Sequence, residues 1–241
     1  MVNELIAYCG PAAVPEDVWL RWNTDPVLIA ALAALAYGVA RRATHKNAGW
    51  AAIALMAVVF ISPLCALSSA LSSVRVLHHV LLVSAAAPLL ALAFPQRRAG
   101  VVPLALLVAA HAVALWVWHA PGPYAWGLAT VPGYWLMQLT LLGSAWWMWR
   151  AILANTTPNG SALVALAVTV GQMGLLGALI VFASGPLYPV HFASTLEWGF
   201  TPLSDQQLAG LLMWVPAMLP YLATGLWLAW TSLRPNTEVA L

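Results

Sequence analysis

Apolar segments close to the length that a bilayer requires decide what this chain can fold into. A helix needs about 20 predominantly apolar residues to cross the hydrocarbon core. Only 7% of the 241 residues are charged and the mean hydropathy is +0.86, whereas a soluble domain has roughly 25% charged residues. We therefore predict an all-α, polytopic membrane bundle of about seven transmembrane helices. The predicted spans are Pro26–Tyr37, Gly49–Leu67, Val74–Phe94, Gly100–His119, Pro132–Leu153, Ser161–Ser184 and Asp205–Trp230.

The basic residues predict how the bundle is oriented, because positive charges accumulate on the cytoplasmic side. Seven basic residues lie on the side of the C-terminus and two on the other side, so the N-terminus is expected outside. The seven are Arg41, Arg42, Lys46, Arg97, Arg98, Arg150 and Arg234, and the two are Arg21 and Arg75. The expected location is the bacterial inner (cytoplasmic) membrane.

The two ends of the chain are expected to lie outside the bilayer. Residues 1–25 are predicted to form an extracytoplasmic tail with a short interfacial helix, anchored by Trp19 and Trp22. Residues 26–232 form the predicted seven-helix domain. Residues 233–241 are predicted to be a cytoplasmic tail.

The third predicted span contains two adjacent histidines, His78 and His79, in an otherwise apolar segment. Ionisable groups are costly in hydrocarbon, so such a pair indicates a functional site. Arg75 precedes the pair near the end of the span and is expected to reach the lipid headgroups. Pro88 removes one backbone donor and is expected to kink the helix.

The predicted topology brings most of the metal-binding residue types into one leaflet. Histidine, cysteine and methionine suit Cu(I), and imidazole also suits haem iron. The carboxylates near this group are Glu197 and Asp205, too few for a hard cation. The group consists of His78, His79, His111, His119, His191, Cys65, Met137 and Met213.

Each of these residues also has a purely structural interpretation. A single buried histidine can bond a neighbouring helix, and adjacent histidines project about 100° apart on a helix. Cys65 can be a small buried apolar residue, and Cys9 and Cys65 can form one bridge or two free thiols. Met137 and Met213 can serve packing alone.

Two other functions fit the same residues. His78 or His79 with His111 or His119 could ligate a b-type haem in an electron-transfer protein. A copper transporter would need ligands that continue towards the cytoplasm, and the sequence offers few. Those few are Met56, Met148, Met173 and Gln172.

Several other classes of protein are excluded by missing motifs. The sequence contains no HExxH zinc-protease motif. Its single lysine, Lys46, lies in a predicted loop and cannot form a retinal Schiff base within a span. The basic residues are spread thinly, so a nucleic-acid partner is not expected.

Three motifs together resemble a known family. SPLCALSS leading into VRVLHHVLLVSAAAPLLAL, HAPGPY after Trp116 and Trp118, and SDQQLAGLLMWVPA are similar to the CtaG-type cytochrome c oxidase assembly proteins. The resemblance covers nearly the whole chain and implies a seven-span protein that helps mature a haem-copper oxidase through its copper centres. The motif positions that it marks are His78, His79, His119, Asp205, Gln206, Gln207 and Met213.

The residues and the resemblance together predict a Cu(I)-binding assembly factor rather than an enzyme. Copper would be held at the outer membrane face and passed to subunits of the oxidase, with His79 as the inward-facing ligand. The candidate metal ligands are His79, His78, His111, His119, Cys65, Met213 and His191. The candidate structural or partner-contacting residues are Asp205, Gln206, Gln207 and Arg75. Ser204 to Gln207 has the spacing of a capping box for the last span, and Asp205 is expected to cap that same helix.

Overall fold

The computed structural model describes residues 7–98 and 100–233, and the regular secondary structure there is entirely helical. The all-α prediction is therefore confirmed for these residues. The α-helices are α1 (Pro26–Arg42), α2 (Lys46–Phe60), α3 (Leu64–Ala70), α4 (Ser72–Val80), α5 (Ala87–Ala93), α6 (Leu104–His119), α7 (Pro121–Ala129), α8 (Val131–Ile152), α9 (Asn159–Val181), α10 (Ser194–Glu197), α11 (Pro202–Trp214) and α12 (Leu219–Leu233). A π-helical segment, Leu81–Ala86, joins α4 to α5, and 3₁₀ turns occur at Val18–Leu20, Pro189–His191 and Pro216–Met218.

Three helical stretches are long and apolar enough to cross a membrane within the described residues. They are Ser72–Ala93, Asn159–Val181 and Pro202–Leu233, of 22, 23 and 32 residues. Two bent pairs raise the number to five if each pair counts as one span: α2 with α3, at 47°, and α6 with α7, at 77°. Helix α1 has 17 residues, somewhat fewer than the ~20 that a bilayer requires. The predicted count of seven spans stays a prediction.

The N-terminal segment folds over one end of the bundle. The predicted interfacial helix is a single 3₁₀ turn, Val18–Leu20. Trp19 in the middle of this turn is 78% exposed and Trp22 is 58% exposed, so both are accessible for the predicted interfacial role. Of the predicted tail 233–241, only residue 233 belongs to the described part of the chain.

The irregularity expected at Pro88 takes the form of the π-helical segment that ends two residues before it. Proline has no backbone N–H, and a π-bulge accommodates the missing bond without breaking the helix. Trp149 of α8 donates from Nε1 to the Val83 carbonyl of this segment at 3.1 Å. The Trp149 ring also packs on Tyr221 of α12, with ring centres 4.8 Å apart. The widened turn is thus anchored to two other helices.

Helices α9 and α11 are in backbone contact. A Cβ added at Gly177 would lie 2.9 Å from the Gly210 carbonyl oxygen, and one added at Gly210 would lie 2.7 Å from the Gly177 oxygen. A side chain at either position would push the helices apart, so glycine is required there. This contact places the first turn of α11 beside the end of α9.

Hydrogen bonds between helix ends define two opposite ends of the bundle. At one end Arg150 Nε donates to the Phe94 carbonyl at 2.8 Å, and Asn159 Nδ2 donates to Ser232 Oγ at 2.7 Å. This is where α5, α8 and α12 end and where α9 begins. Because Arg97 also lies here, we call it the basic end.

The opposite end is where α4 and α11 begin and where α6 and α9 end. A disulfide between Cys9 and Cys65 ties the N-terminal segment to α3. Trp198 Nε1 donates to the Ala13 carbonyl at 2.9 Å, which joins the same segment to the loop before α11. We call this the histidine end, because His79 and His119 meet there.

Candidate functional site

His78 and His79 lie in α4 and are fully enclosed by protein. Their exposed fractions are 0% and 1%, and their ring centres are 5.9 Å apart. Among the described residues, no hydrogen-bond partner is found for either nitrogen of either ring. Buried polar atoms without partners are rare in proteins and call for an explanation.

His79 meets a second histidine from another helix, His119 at the end of α6. The ring centres are 5.7 Å apart and the ring planes are nearly perpendicular, at 83°. His119 Nδ1 donates to the Leu115 carbonyl at 2.7 Å, and this bond fixes the proton on Nδ1. The Nε2 atom of His119 therefore carries a lone pair, and it has no partner in the described part of the chain. A neutral imidazole oriented in this way is a typical metal ligand.

His78 has a different neighbour. Its ring packs edge-on against Phe60 of α2, with centres 5.2 Å apart. The two adjacent histidines of α4 thus face different sides of their helix, as the 100° step between neighbours requires. His79 lies against another imidazole and His78 against an aromatic hydrocarbon ring.

His111 lies two helical turns from His119 along α6, about 12 Å away at 1.5 Å per residue. Its Nδ1 is 2.9 Å from Ser144 Oγ of α8. The Ser144 hydroxyl donates to the Leu141 carbonyl, so it accepts the proton of His111 Nδ1. The structure therefore places His111 in a separate contact between α6 and α8.

His191 belongs to the loop that covers His119. Its Nε2 is 2.7 Å from the Tyr124 hydroxyl. Burial, with the nearby positive charge of Arg75, lowers the pKa of His191 to about 4, while Asp205 acts in the opposite direction. The imidazole is thus neutral at pH 7, and a hydrogen bond joins its Nε2 to the Tyr124 hydroxyl.

Two tyrosines connect this loop to His119. Tyr124 of α7 packs on Tyr188, with ring centres 4.4 Å apart. The Tyr188 hydroxyl donates to the His119 carbonyl at 2.9 Å. The loop, residues 182–201, is thereby bonded to the end of α6 that carries His119, and we call it the lid.

The expectation that Arg75 reaches the lipid headgroups is wrong. Arg75 is 1% exposed, and its Nε donates to the Ser68 carbonyl at 3.1 Å. Its guanidinium lies over the Tyr134 ring, 5.4 Å from the ring centre. The side chain is retained inside because α3 supplies a backbone carbonyl and α8 an aromatic ring as its partners.

The role expected for Asp205 is also wrong, although the residue does cap a helix. Thr201 Oγ1 accepts from Ser204 N at 3.1 Å and is the N-cap of α11. The Asp205 carboxylate instead accepts from the backbone and hydroxyl groups of both Ser72 and Ser73. These are the first two residues of α4, so Asp205 caps the histidine-bearing helix from another helix. A carboxylate at this position also complements the helix dipole.

Gln206, Gln207 and Met213 have separate positions on α11. The Gln206 side chain accepts from Leu187 N and donates to the Ile180 carbonyl at 3.0 Å. It thus holds the lid loop against the end of α9. Gln207 is exposed, where a partner protein or lipid can reach it. Met213 is 3% exposed, within the apolar core.

Cys65 cannot supply a thiolate, because it forms the disulfide with Cys9. This resolves the two alternatives that the sequence left open in favour of one bridge. It also removes Cys65 from the set of candidate copper ligands in the oxidised protein. Tyr134, whose hydroxyl lies 3.8 Å from Cys65 Sγ, connects the disulfide to the Arg75 region.

The described residues hold no group of three or more His, Cys, Asp or Glu side chains placed to bind a metal ion. The closest arrangement of candidate ligands from different helices is the pair of His79 and His119. A zinc or iron site with three protein ligands is therefore not supported. A two-coordinate ion remains compatible with the pair.

Sequence reasoning missed several residues of this region. Ser72 and Ser73 lie between SPLCALSS and VRVLHHVLLVSAAAPLLAL and received no role from the sequence, and Tyr124 was noted only as the last residue of HAPGPY. Gln138 of α8 is 1% exposed, and neither of its amide atoms has a partner in the residues described. An amide within an otherwise apolar span was the signal that could have identified Gln138.

Residues 98–235 match the model of the cytochrome c oxidase caa3 assembly factor family, Caa3_CtaG. The chain belongs to this family. No curated protein and no solved structure was found to match it. The resemblance seen in the sequence motifs is thus confirmed, and a family of oxidase assembly factors suggests a role without catalysis.

The family match includes only part of the histidine end. His119, Tyr124, His191 and Asp205 lie within the matched range, whereas His79 on α4 lies outside it. Asp205 nonetheless bonds directly to the first turn of α4. The matched part of the chain therefore positions the helix that carries His79.

Proposed function

We propose that this assembly factor binds Cu(I) between His79 and His119 and passes it to a subunit of a haem-copper oxidase. The observation that carries the proposal is the edge contact of two buried imidazoles from different helices, 5.7 Å apart at their ring centres. His119 presents an unpaired nitrogen whose tautomer is fixed by the backbone. Both nitrogens of His79 are also without partners in the described residues.

The spacing of the two rings suits one ion. A metal–imidazole bond is about 2.0 Å, so two nitrogens on one ion lie about 4 Å apart. Adding roughly 1 Å from each nitrogen to its ring centre gives centres about 6 Å apart, close to the observed separation. Cu(I) has a filled d shell and accepts two ligands, and imidazole suits copper. Copper is here the cargo, so no bond of a substrate needs to be made or broken.

Two observations support an orientation in which the histidine end faces the outer side of the membrane, where copper would be delivered. Disulfides form and persist in oxidising compartments, and Cys9–Cys65 lies at the histidine end. The basic residues Arg97 and Arg150 are at the opposite end, which favours a cytoplasmic location there. We therefore propose seven crossings of the bacterial inner membrane, with the histidine end and the N-terminal tail outside.

Release of copper requires movement of the lid. His119 is 4% exposed and His79 is 1% exposed, so no partner ligand reaches them while the loop is closed. The lid is held by a few hydrogen bonds, among them Tyr188 to the His119 carbonyl and Gln206 to Leu187. Docking of an oxidase subunit at the exposed surface near Gln207 would compete for these contacts.

The alternatives have less support. A b-type haem would place a porphyrin between the two rings, yet protein side chains enclose both rings almost completely. A copper transporter would need free sulfur ligands towards the basic end. Met148 Sδ instead accepts a hydrogen bond from Thr169 Oγ1 at 3.5 Å. No observation on the described residues favours either alternative over copper binding.

The test is copper analysis of the purified full-length protein, with copper kept as Cu(I) by a reductant, together with an absorption spectrum. We expect His79→Gln and His119→Gln each to abolish Cu(I) binding with protein abundance nearly unchanged. His78→Gln and His111→Gln are the matched controls and should retain binding. In cells, His79→Gln should leave the partner oxidase under-metallated.

Two results would contradict this proposal. Copper retained by both His79→Gln and His119→Gln would return the pair to a structural role. A strong haem Soret band in the absorption spectrum of the purified protein, lost in His79→Gln, would favour the b-type haem alternative.

A further inference from the structure

A cleft opens at the basic end, far from the histidine pair. Its volume is about 740 Å³, and it lies between α5 and the middle of α12. Three basic side chains border it, one from the α1–α2 loop, one from the loop after α5, and one from the end of α8. They are His45, Arg97 and Arg150.

The two arginines are held in place by the protein. Arg150 Nε donates to the Phe94 carbonyl at 2.8 Å, and its guanidinium lies over the Trp146 ring, 4.9 Å from the centre. Arg97 Nη2 donates to Thr44 Oγ1 at 3.3 Å. Each guanidinium has five N–H donors, so these bonds use only a fraction of them. A fixed, planar donor group of this kind suits a phosphate oxygen.

Part of the cleft wall is apolar. Pro88 and Leu92 of α5 and Trp227 of α12 contribute to it, and the last two are 41% and 55% exposed. No Asp or Glu of the described residues lines the cleft. The site thus combines basic and apolar side chains, without a negative charge to oppose an anion.

Arg150 also borders a second groove of about 510 Å³. That groove is almost wholly apolar and runs between α1, α2, α5 and α8, with Leu35, Met56 and Leu139 among its walls. The same guanidinium therefore lies between a cleft for a charged group and a groove for hydrocarbon.

We propose that these two cavities bind an anionic phospholipid, with its phosphate at Arg97 and Arg150 and an acyl chain in the groove beside Arg150. Basic pockets between transmembrane helices are a known form of headgroup site. Free inorganic phosphate has the same charge chemistry but nothing to place in the apolar groove. The site is independent of copper binding, because it lies at the other end of the bundle.

The experiment is native mass spectrometry of the full-length protein with phosphatidylglycerol and with phosphatidylcholine of identical chains. The wild type should retain phosphatidylglycerol preferentially. Arg97→Gln should weaken its binding about fivefold, the loss expected for one positive charge near a lipid headgroup. Arg42→Gln is the matched control, since Arg42 is an exposed arginine at the same end that lines neither cavity. It should bind as the wild type does.

A second pair of variants tests the acyl groove without changing a charge. Gly143 lines the groove, and a Cβ added there meets no atom within 4 Å. Gly143→Leu should therefore fold normally, fill the groove and reduce phosphatidylglycerol binding. Gly171→Leu is the control, because Gly171 is equally open but belongs to α9 and lines neither cavity.

Three outcomes would overturn the proposal. Equal retention of both lipids would remove the anionic preference. Equal binding by Arg97→Gln and Arg42→Gln would remove the assigned phosphate contact. Displacement of the lipid by millimolar inorganic phosphate, with Gly143→Leu behaving as the wild type, would identify a phosphate site instead.

Discussion

The two ends of this bundle place their charged groups in opposite ways. At the histidine end Arg75 and Asp205 are 1% and 0% exposed and are bonded to serines and backbone carbonyls. At the basic end Arg97 is exposed and borders an open cleft. The difference indicates that the histidine end is organised by contacts within the protein. The basic end is arranged to meet something outside it.

The buried charges at the histidine end are not a simple ion pair. Within residues 7–98 and 100–233 the only salt bridge joins Arg21 to Asp17, at 3.0 Å and near the surface. Arg75 and Asp205 instead bond to separate groups. Asp205 accepts from Ser72 and Ser73. Arg75 Nε donates to the Ser68 carbonyl, while its Nη1 has no partner in the described residues. A buried charge costs several kcal/mol unless hydrogen bonds compensate it. Retaining two of them beside His79 is therefore expected to serve the position of α4.

The largest effect should come from Asp205→Ala. It removes a charged acceptor of bonds from Ser72 and Ser73 and leaves two buried N–H groups unsatisfied. We expect the free energy of unfolding in detergent to fall by about 4 kcal/mol. Gln207→Ala, two residues further on but exposed, is the control and should change little.

Asp205→Asn would sharpen the same test. Its amide oxygen can still accept the bonds made to one carboxylate oxygen, but its NH₂ group faces donors, so the loss should be intermediate. If Asp205→Ala were as stable as Gln207→Ala, the cap across helices would have no energetic role and the contrast between the ends would weaken.

The next largest effect should come from opening the disulfide by Cys9→Ser with Cys65→Ser. The bridge closes a loop across a sequence separation of 56 residues, and its removal should cost about 2–4 kcal/mol. Thermal unfolding with and without reductant measures this effect. The control is reductant added to the double variant, which should have no further effect.

The same pair of cysteines tests the proposed orientation. In intact cells, after mild reduction, a membrane-impermeant thiol reagent should label Cys9. If Cys9 were labelled only in lysed cells, the histidine end would lie in the cytoplasm and the basic end outside, the opposite of the proposed orientation.

The sequence was sufficient for what depends on local pattern. The length of the apolar segments and the low charge predicted an all-α chain, and the structure confirms it for residues 7–98 and 100–233. The motifs ending in SDQQLAGLLMWVPA indicated the family that the match over residues 98–235 confirms. The predicted span Pro132–Leu153 is within two residues of α8, Val131–Ile152, because composition and proline mark its ends.

The predictions that failed concern contacts between residues that are distant in sequence. Asp205 and Ser72 are 133 residues apart, and no local pattern indicates which helix a carboxylate will cap. Arg75 near a helix end is expected to reach lipid unless the fold encloses it, and the aromatic ring beneath its guanidinium, Tyr134, belongs to α8. The pairing of His79 with His119 required the relative rotation of two helices, which the approximate spans did not supply.

The smallest effect separates the two ways in which α11 could begin. The sequence favoured a capping box from Ser204 to Gln207, whereas the structure makes Thr201 the N-cap, with Oγ1 accepting from Ser204 N at 3.1 Å. Thr201→Ala should therefore lower the free energy of unfolding by about 1 kcal/mol. Ser204→Ala keeps the backbone N–H that Thr201 binds and should cost less. Chemical denaturation of both variants in the same detergent decides between them. A larger loss in Ser204→Ala would restore the capping box and move the start of α11 towards Asp205.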